Sequence, residues 1–169
     1  MNFSGITRRI DELGRIVVPK EIRYNLGIRN GEPLEIYALD NKIVIKKFSQ
    51  VGNIKEISQK YVDIISDICN IDIIITDRDK IVVTTNNIKH LINNKITEKD
   101  KLLIDNRETY ISNNKESLYD ILGYYIIMPI ICNDDSNGLV IAIFNDFNKE
   151  YIKYTKIIQK LIVNEIDVS

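Results

Sequence analysis

Residues 5–23 read Gly-Ile-Thr-Arg-Arg-Ile-Asp-Glu-Leu-Gly-Arg-Ile-Val-Val-Pro-Lys-Glu-Ile-Arg, and this stretch decides the fold of the first part of the chain. Its apolar and β-branched residues predict two strands, over 5–10 and 15–18. Pro19 follows at a point where a helix can begin, because the first helical position does not need its N–H group. The stretch therefore predicts a short helix over 20–26, directly after the second strand.

A β-hairpin is predicted after this helix. Gly27 is a residue favoured just past a helix C-terminus, and a turn follows it. Residues 34–37 and 43–46 alternate apolar and polar side chains, as strands with one buried face do. Asp40 and Asn41 lie between them and tolerate the positive φ that tight hairpins require.

The first fifty residues carry many apolar side chains for so small a unit. About fifty residues without a disulfide or a metal rarely bury enough surface to be stable alone. Two copies that interleave their strands would form one shared core, so the sequence predicts a dimer. The apolar positions concerned are Ile6, Ile10, Leu13, Ile16, Val18, Ile22, Leu26, Leu34, Ile36, Ile43 and Ile45.

Charge is divided unevenly along the 169 residues. Residues 1–50 hold nine Lys or Arg against six acids, a net charge of +3, whereas the whole chain has −1 and the remainder therefore −4. A basic small unit joined to an acidic larger one indicates that only the first meets a polyanion. On charge alone, a merely solvated surface explains these residues at least as well as DNA binding does.

Five cations of the first unit are the candidate DNA-binding residues. A planar guanidinium can bridge two phosphate oxygens or the O6/N7 edge of guanine, and a dimer would present each cation twice. No helix-turn-helix, zinc-finger or basic-zipper pattern accompanies them. The five residues are Arg8, Arg9, Arg15, Lys20 and Arg23.

Two motifs in fixed register, Asp-Glu-Leu-Gly-Arg at 11–15 and Val-Pro-Lys-Glu-Ile-Arg at 18–23, resemble the start of the AbrB-type swapped-hairpin DNA-binding domain. The match continues through about residue 48. The resemblance implies a dimeric, β-barrel-like module that lays arginines into DNA with loose sequence preference. Arg8, Arg15 and Arg23 fall on the family's DNA-contacting positions. The chain departs from the family at Tyr24, where relatives often carry a second arginine, although a tyrosine hydroxyl can still donate to a phosphate.

The remaining residues predict an α+β domain with an antiparallel sheet. Residues 51–69 predict an amphipathic connecting helix, and 71–76 with 81–85 predict a hairpin. A mostly helical polar stretch over 87–106 comes next. Two apolar strands at 124–132 and 139–144, separated by a turn over 133–138, precede a closing amphipathic helix. We accordingly predict domains at 1–50 and 51–169.

This layout resembles the family of stage V sporulation protein T, and the resemblance implies a GAF-like second domain and a tetramer joined through both domains. It also implies a regulator that activates or represses sporulation or stationary-phase genes at A·T-rich promoters. We expect a cytoplasmic, nucleoid-associated protein, since no apolar leader or membrane-spanning run is visible. A small-molecule ligand of the second domain and a purely oligomerising role both stay open.

Catalysis, cofactor binding and metal binding find little support in the sequence. His90 is the only histidine, and Asp134 and Asp135 suit a turn better than an acid–base pair. Cys69 and Cys132 are expected to be buried free thiols. Two other functions remain as alternatives. An antitoxin would share the first unit, and a stand-alone small-molecule sensor would use that unit only to dimerise.

Overall fold

The computed structural model describes residues 5–168, and these form two compact units. The first unit ends at Phe48 and the second begins at Ser49, two residues before the boundary expected from the sequence. The expectation that the chain has no secretion leader rests mainly on residues 1–4, which lie outside the described range. Among residues 5–168, none of the helices combines the length and the apolar character that a membrane-spanning segment needs.

The first unit contains one helix and one hairpin. Helix α1 is Lys20–Asn25 and follows Pro19, as predicted. The chain leaves the helix through Gly27, whose φ of +62° is in the left-handed region that favours glycine. Strands β1, Leu34–Leu39, and β2, Lys42–Lys47, pair antiparallel.

The tight turn between β1 and β2 was correctly predicted. Asp40 and Asn41 have φ values of 48° and 61°, as the two central residues of a type I′ turn require. In the resulting register Ile36 lies opposite Ile45 and Ala38 opposite Ile43. Residues directly opposite each other share one face of a hairpin, so these four side chains form one apolar face.

The two strands predicted over 5–10 and 15–18 are absent from the single chain. A strand needs a neighbour to bond its N–H and C=O groups, and β1 and β2 pair only with each other among the described residues. The prediction is therefore wrong for one chain, which has an open hairpin rather than a closed barrel. Interleaved strands need the second copy that the sequence argument invokes.

The second unit alternates helices with the strands of one antiparallel sheet. Its elements are α2 Gln50–Asn53, α3 Lys55–Cys69, β3 Asp72–Thr76, β4 Ile81–Thr84, a 3₁₀ helix Asn86–Leu91, α4 Glu98–Asn106, β5 Tyr110–Ile111, β6 Glu116–Leu118, β7 Ile121–Cys132, β8 Asp135–Phe144 and α5 Glu150–Val168. The five principal strands follow the order β4-β3-β8-β7-β5, and β6 also pairs with β7.

The connecting helix predicted over 51–69 is two helices. Ser49 begins α2, where its hydroxyl accepts a hydrogen bond from the Gly52 N–H at 3.0 Å. Ile54 then leaves helical geometry, with φ −97° and ψ 17°, and α3 starts after it. Ile54 is buried in the core, so side-chain packing at this point accompanies the break.

The sheet is covered on both faces. One face packs against α2, α3 and α5 through a core that includes Val62, Ile73, Val140 and Ile158. The opposite face packs against the 3₁₀ helix and α4 through a second core. Strands buried on both sides explain why β7 and β8 are continuously apolar rather than alternating.

The β7–β8 hairpin turns more tightly than the six-residue loop predicted over 133–138. Asn133 and Asp134 alone form the turn, with φ values of 49° and 61°, and β8 begins at the next residue. Gly138 lies inside β8, and a Cβ there would come within 1.9 Å of the Thr76 carbonyl oxygen on β3. That close approach requires glycine at the centre of the sheet.

Candidate nucleic-acid interface

A compact turn carries Arg15. The Asp11 N–H donates to the Arg15 carbonyl oxygen at 3.1 Å, and the Gly14 N–H donates to the Asp11 carbonyl oxygen at 3.0 Å. Gly14 has a φ of +74°, which an L side chain adopts only with strain. The motif at 11–15 therefore folds as a closed turn, and this turn fixes the backbone position of Arg15.

The Asp11 carboxylate also holds the Arg15 side chain. Arg15 Nε lies 2.7 Å from Asp11 Oδ2, and the Arg15 side chain is still 73% exposed. The backbone N–H and the guanidinium of Arg15 lower the pKa of the Asp11 carboxyl, so it is ionised at neutral pH. Arg15 thus carries a partner on its own loop while it projects into solvent.

Helix α1 brings two more of the candidate cations together. Lys20 and Arg23 lie three residues apart, about one helical turn, and Lys20 is exposed. Arg23 is half-buried, and its Nη1 donates to Asn30 Oδ1 at 2.8 Å. Tyr24, at the position where the resemblance expects arginine, is 84% exposed.

Arg8 and Arg9 are exposed on the segment before the turn. The structure thus places all five predicted residues in the first unit, with Lys20 and Arg23 on one helix and the other three on the segment 5–19. Two residues that hold arginines, Asp11 and Asn30, were not among the predicted site residues. The spacing Asp-x-x-Gly-Arg, typical of a turn closed by aspartate, was the available signal for Asp11.

An uncovered apolar surface accompanies these cations. None of the side chains described between residues 5 and 48 is buried. The exposed fractions are Ile6 42%, Ile10 61%, Leu13 75%, Ile16 48%, Val17 74%, Leu26 57%, Ile36 63% and Ile43 70%. A soluble unit rarely leaves so many large apolar groups in water, so this surface is typical of an interface.

The second unit offers a small apolar groove between α3 and α5. Its volume is about 150 Å³, and its lining is entirely apolar or aromatic at the surface: Ile65, Ile68, Cys69, Tyr154 and Ile157. Pockets for small molecules are commonly about 300–1,000 Å³ and carry a few converging polar groups. The groove fits the packing of another apolar surface better than it fits a ligand.

The residues considered as metal ligands, reactive thiols or acid–base groups do not come together in one site. Within 5–168 no three His, Cys, Asp or Glu side chains are grouped to hold a metal ion. Both cysteines are free; Cys132 is buried as predicted, but Cys69 is only half-buried because it borders the α3–α5 groove. Burial, then a hydrogen bond to Asp167, raises the pKa of the Cys132 thiol to about 11. His90 is exposed.

The chain matches two known protein families, one in each of its units. Residues 53–164 match the family described as Stage V sporulation protein T C-terminal, transcription factor, and residues 7–52 match the family described as Antidote-toxin recognition MazE, bacterial antitoxin. The chain is a DNA-binding transcription regulator with an AbrB-type first unit. It belongs to the stage V sporulation protein T family.

Two relatives from Bacillus subtilis (strain 168) support this assignment. The chain is 34% identical over 154 residues to Stage V sporulation protein T, covering 86% of each protein. It is 52% identical over 48 residues to Transition state regulatory protein AbrB, covering 28% of this chain and 50% of that relative. The second is named as a regulatory protein, and the two alignments together confirm the predicted resemblances.

The second unit has the fold of a GAF domain, as predicted. It resembles the cofactor-binding GAF domain of the nutrient sensor CodY from Clostridium difficile with a TM-score of 0.50 and 14% identity. The match covers 64% of this chain and 83% of that structure. At this identity the likeness concerns the fold alone.

Proposed function

We propose that the chain binds A·T-rich promoter DNA as a homodimer, through the five cations Arg8, Arg9, Arg15, Lys20 and Arg23 of each copy. The proposal extends to regulation of sporulation or stationary-phase genes, because the relative that covers most of the chain is named for sporulation. A protein with this role would act on the nucleoid in the cytoplasm. The observation that carries the proposal is the first unit's lack of any buried side chain among its described residues.

The dimer follows from that observation. Each large apolar side chain removed from water contributes about 1.5–3 kcal/mol, so eight exposed ones are a large unused driving force. The apolar face of the β1–β2 hairpin, formed by Ile36, Ala38, Ile43 and Ile45, is the natural centre of a shared core. A second copy that supplies partners for 5–10 and 15–18 would cover this face and complete the sheet.

The cations then occur twice on one surface. Arg15 is 73% exposed on a fixed turn, and Lys20 and Arg23 lie one turn apart on α1. Side chains on such a scaffold reach few base edges, so part of the specificity would come from how easily the DNA deforms. This supports a preference for A·T-rich sequences, whose narrow minor groove attracts arginine.

A tetramer would form through the second unit. Ile64, Ile68 and Ile157 on α3 and α5 are 57%, 77% and 50% exposed, and the last two line the apolar groove. The volume of the groove, about 150 Å³, favours this oligomerising role over a small-molecule site. The sensor alternative depends on a ligand of the GAF-like domain, and the groove gives it little support.

The antitoxin alternative depends on an extended C-terminal segment that would wrap a toxin. Residues 49–168 instead form a three-layer domain with two buried cores. The MazE-type match ends at residue 52, before the sheet of this domain begins. We therefore propose that the first unit serves as the DNA-binding half of a transcription regulator and not of an antitoxin.

Salt dependence of DNA affinity tests the proposal. If about six phosphates are neutralised per dimer, log affinity falls against log salt with a slope of about −5. The triple variant Arg8→Ala/Arg15→Ala/Arg23→Ala should lose most of this slope. The matched control Lys115→Ala/Lys149→Ala/Lys156→Ala removes three exposed charges from the second unit and should leave it unchanged. Equal slopes for the two triple variants would refute the site.

A further inference from the structure

The Asp11 carboxylate accepts three hydrogen bonds, and two of them come from Arg15. Its Oδ1 accepts from the N–H of Leu13 at 3.0 Å and from the N–H of Arg15 at 2.8 Å. Its Oδ2 accepts from Arg15 Nε at 2.7 Å. One side chain therefore fixes both the backbone position and the side-chain direction of Arg15.

This pair contributes little to the stability of the chain. The side chains of Arg15 and Asp11 are 73% and 43% exposed, and exposed ion pairs are commonly worth less than about 1 kcal/mol. Geometry is the more important consequence. A guanidinium has five N–H donors, and only the one on Nε is used in this contact, so the four N–H donors of the Nη edge are not engaged by Asp11. That edge is the fork that bridges phosphate oxygens or the O6/N7 edge of guanine.

An acid in a DNA-binding surface otherwise weakens binding. Asp11 adds a negative charge beside Arg15, and that charge repels phosphates. Removing it should strengthen DNA binding if electrostatics is its only effect. Removing it should weaken binding if Asp11 holds Arg15 ready for contact, because the free side chain then loses rotamer freedom on binding. The two roles predict opposite signs.

We infer that Asp11 is a positioning residue for DNA recognition, which holds Arg15 by Nε and presents its Nη edge to the duplex. The inference rests on the proposed function, in which Arg15 contacts DNA. Asp11 itself touches no DNA in this arrangement. Its contribution is to fix the direction of Arg15 before the duplex arrives, and it therefore affects discrimination between sequences more than total charge.

The test compares Asp11→Asn with Glu12→Gln in the full chain. Asparagine keeps an oxygen for the two backbone N–H groups but cannot accept from Arg15 Nε with its amide nitrogen. Glu12 is the exposed acid next to Asp11, so its variant removes the same charge without the contact. Fluorescence anisotropy would measure affinity for a duplex that the wild-type protein selects from a random pool, and for a scrambled duplex of equal length.

We expect Asp11→Asn to weaken binding to the selected duplex by about fivefold or more, since a dimer has two freed arginines. The affinity for the scrambled duplex should fall by a smaller factor. The Glu12→Gln variant should bind both duplexes as well as the wild type or better. In an Arg15→Ala background, Asp11→Asn should no longer weaken binding. Matching thermal melts of the Asp11 and Glu12 variants would show that the turn is intact.

Three results would each contradict a different claim about Asp11 and Arg15. Equal effects of Asp11→Asn and Glu12→Gln would remove the positioning role and leave the Arg15 contact standing. Weakening by Asp11→Asn in the Arg15→Ala background would show that Asp11 acts on the fold and not through Arg15. Unchanged affinity of Arg15→Ala alone would refute the Arg15 contact of the proposed function itself.

Discussion

Ile36 in the first unit is 63% exposed, whereas Ile141 in the second unit is fully buried, although both are isoleucines in antiparallel strands. The difference extends to the whole of each unit. Residues 5–48 bury no described side chain, and residues 49–168 bury two separate apolar cores. The GAF-like unit satisfies its own apolar surface within one chain. The AbrB-type unit leaves that surface exposed in the single chain.

This contrast means that exposure has opposite meanings in the two units. Outside the α3–α5 groove, an exposed apolar residue of the second unit lies on the outer surface of a domain that already has its own buried cores. An exposed apolar residue of the first unit belongs to a core that exists only in the dimer we propose. Stability of the DNA-binding unit should therefore depend on protein concentration, as expected when folding and association are coupled.

The largest expected effect tests this difference directly. Ile36→Asp should lower DNA affinity by about a hundredfold or more, because an unpaired charge inside a shared core costs about 3–5 kcal/mol. Leu122→Asp is the matched control, since Leu122 is 65% exposed on strand β7 of the second unit. Anisotropy titrations with one duplex would measure both. Similar affinities for the two variants would mean that the hairpin face is ordinary surface.

A second prediction concerns the self-contained unit. Gly138→Ala should destabilise the GAF-like domain by about 3 kcal/mol or more, because its Cβ would lie 1.9 Å from the Thr76 carbonyl oxygen and force β3 and β8 apart. Gly123→Ala places its Cβ 3.1 Å from Ile143 Cγ2 and from the Phe144 carbonyl oxygen, so its cost should be nearer 1 kcal/mol.

Urea denaturation followed by circular dichroism would measure both glycine variants. If the two units are independent, the transition of the first unit should keep its midpoint in each case. A shift of both transitions by Gly138→Ala would contradict the separation of the units. Equal costs at the two glycines would contradict the close approach of Gly138 to the Thr76 carbonyl oxygen.

The smallest expected effect is the contribution of one buried thiol in the second unit to the pH dependence of stability. The pKa of the Cys132 thiol is raised to about 11 by burial and by its hydrogen bond to Asp167. Because the pKa of this thiol in the folded chain lies above its ordinary value of 9.0, the unfolded chain loses this proton first. The thiol's contribution to stability is thus present below about pH 9 and declines towards pH 11.

Alkylation with iodoacetamide, followed by mass spectrometry, would check this order. Cys132 in the folded chain should react only as the pH approaches about 11, and in denaturant near pH 9. Asp167→Asn keeps the burial and removes the carboxylate, so the onset should move to lower pH. An unchanged onset in that variant would assign the shift to burial alone.

Much of the first unit was predictable because its signals are local. Pro19 and Gly27 bound α1, and Asp40-Asn41 place the hairpin turn, since each residue acts through its own backbone geometry. The five candidate cations were predicted from their positions in a fixed motif. Their contact with DNA, and the domain boundary at residue 50, stay predictions.

The errors arose where a distant partner decides the structure. Strands β5 and β6 are two and three residues long and were missed, because they exist only by pairing with β7. The break at Ile54 divides the expected connecting helix, and packing into the core accompanies it. Very short strands and a helix break of this kind depend on distant contacts, so the neighbouring residues carry no sequence pattern that predicts them.

The sequence by itself determined the family, the α+β class and the hairpins, and it supplied the five candidate cations. It could do so because motif spacing, turn residues and apolar periodicity are properties of neighbouring residues. Only the tertiary structure decided that Asp11 holds Arg15, that the sheet carries a core on each face, and that the first unit buries nothing alone. Those features depend on which distant atoms meet, and on whether a second chain is needed to meet them.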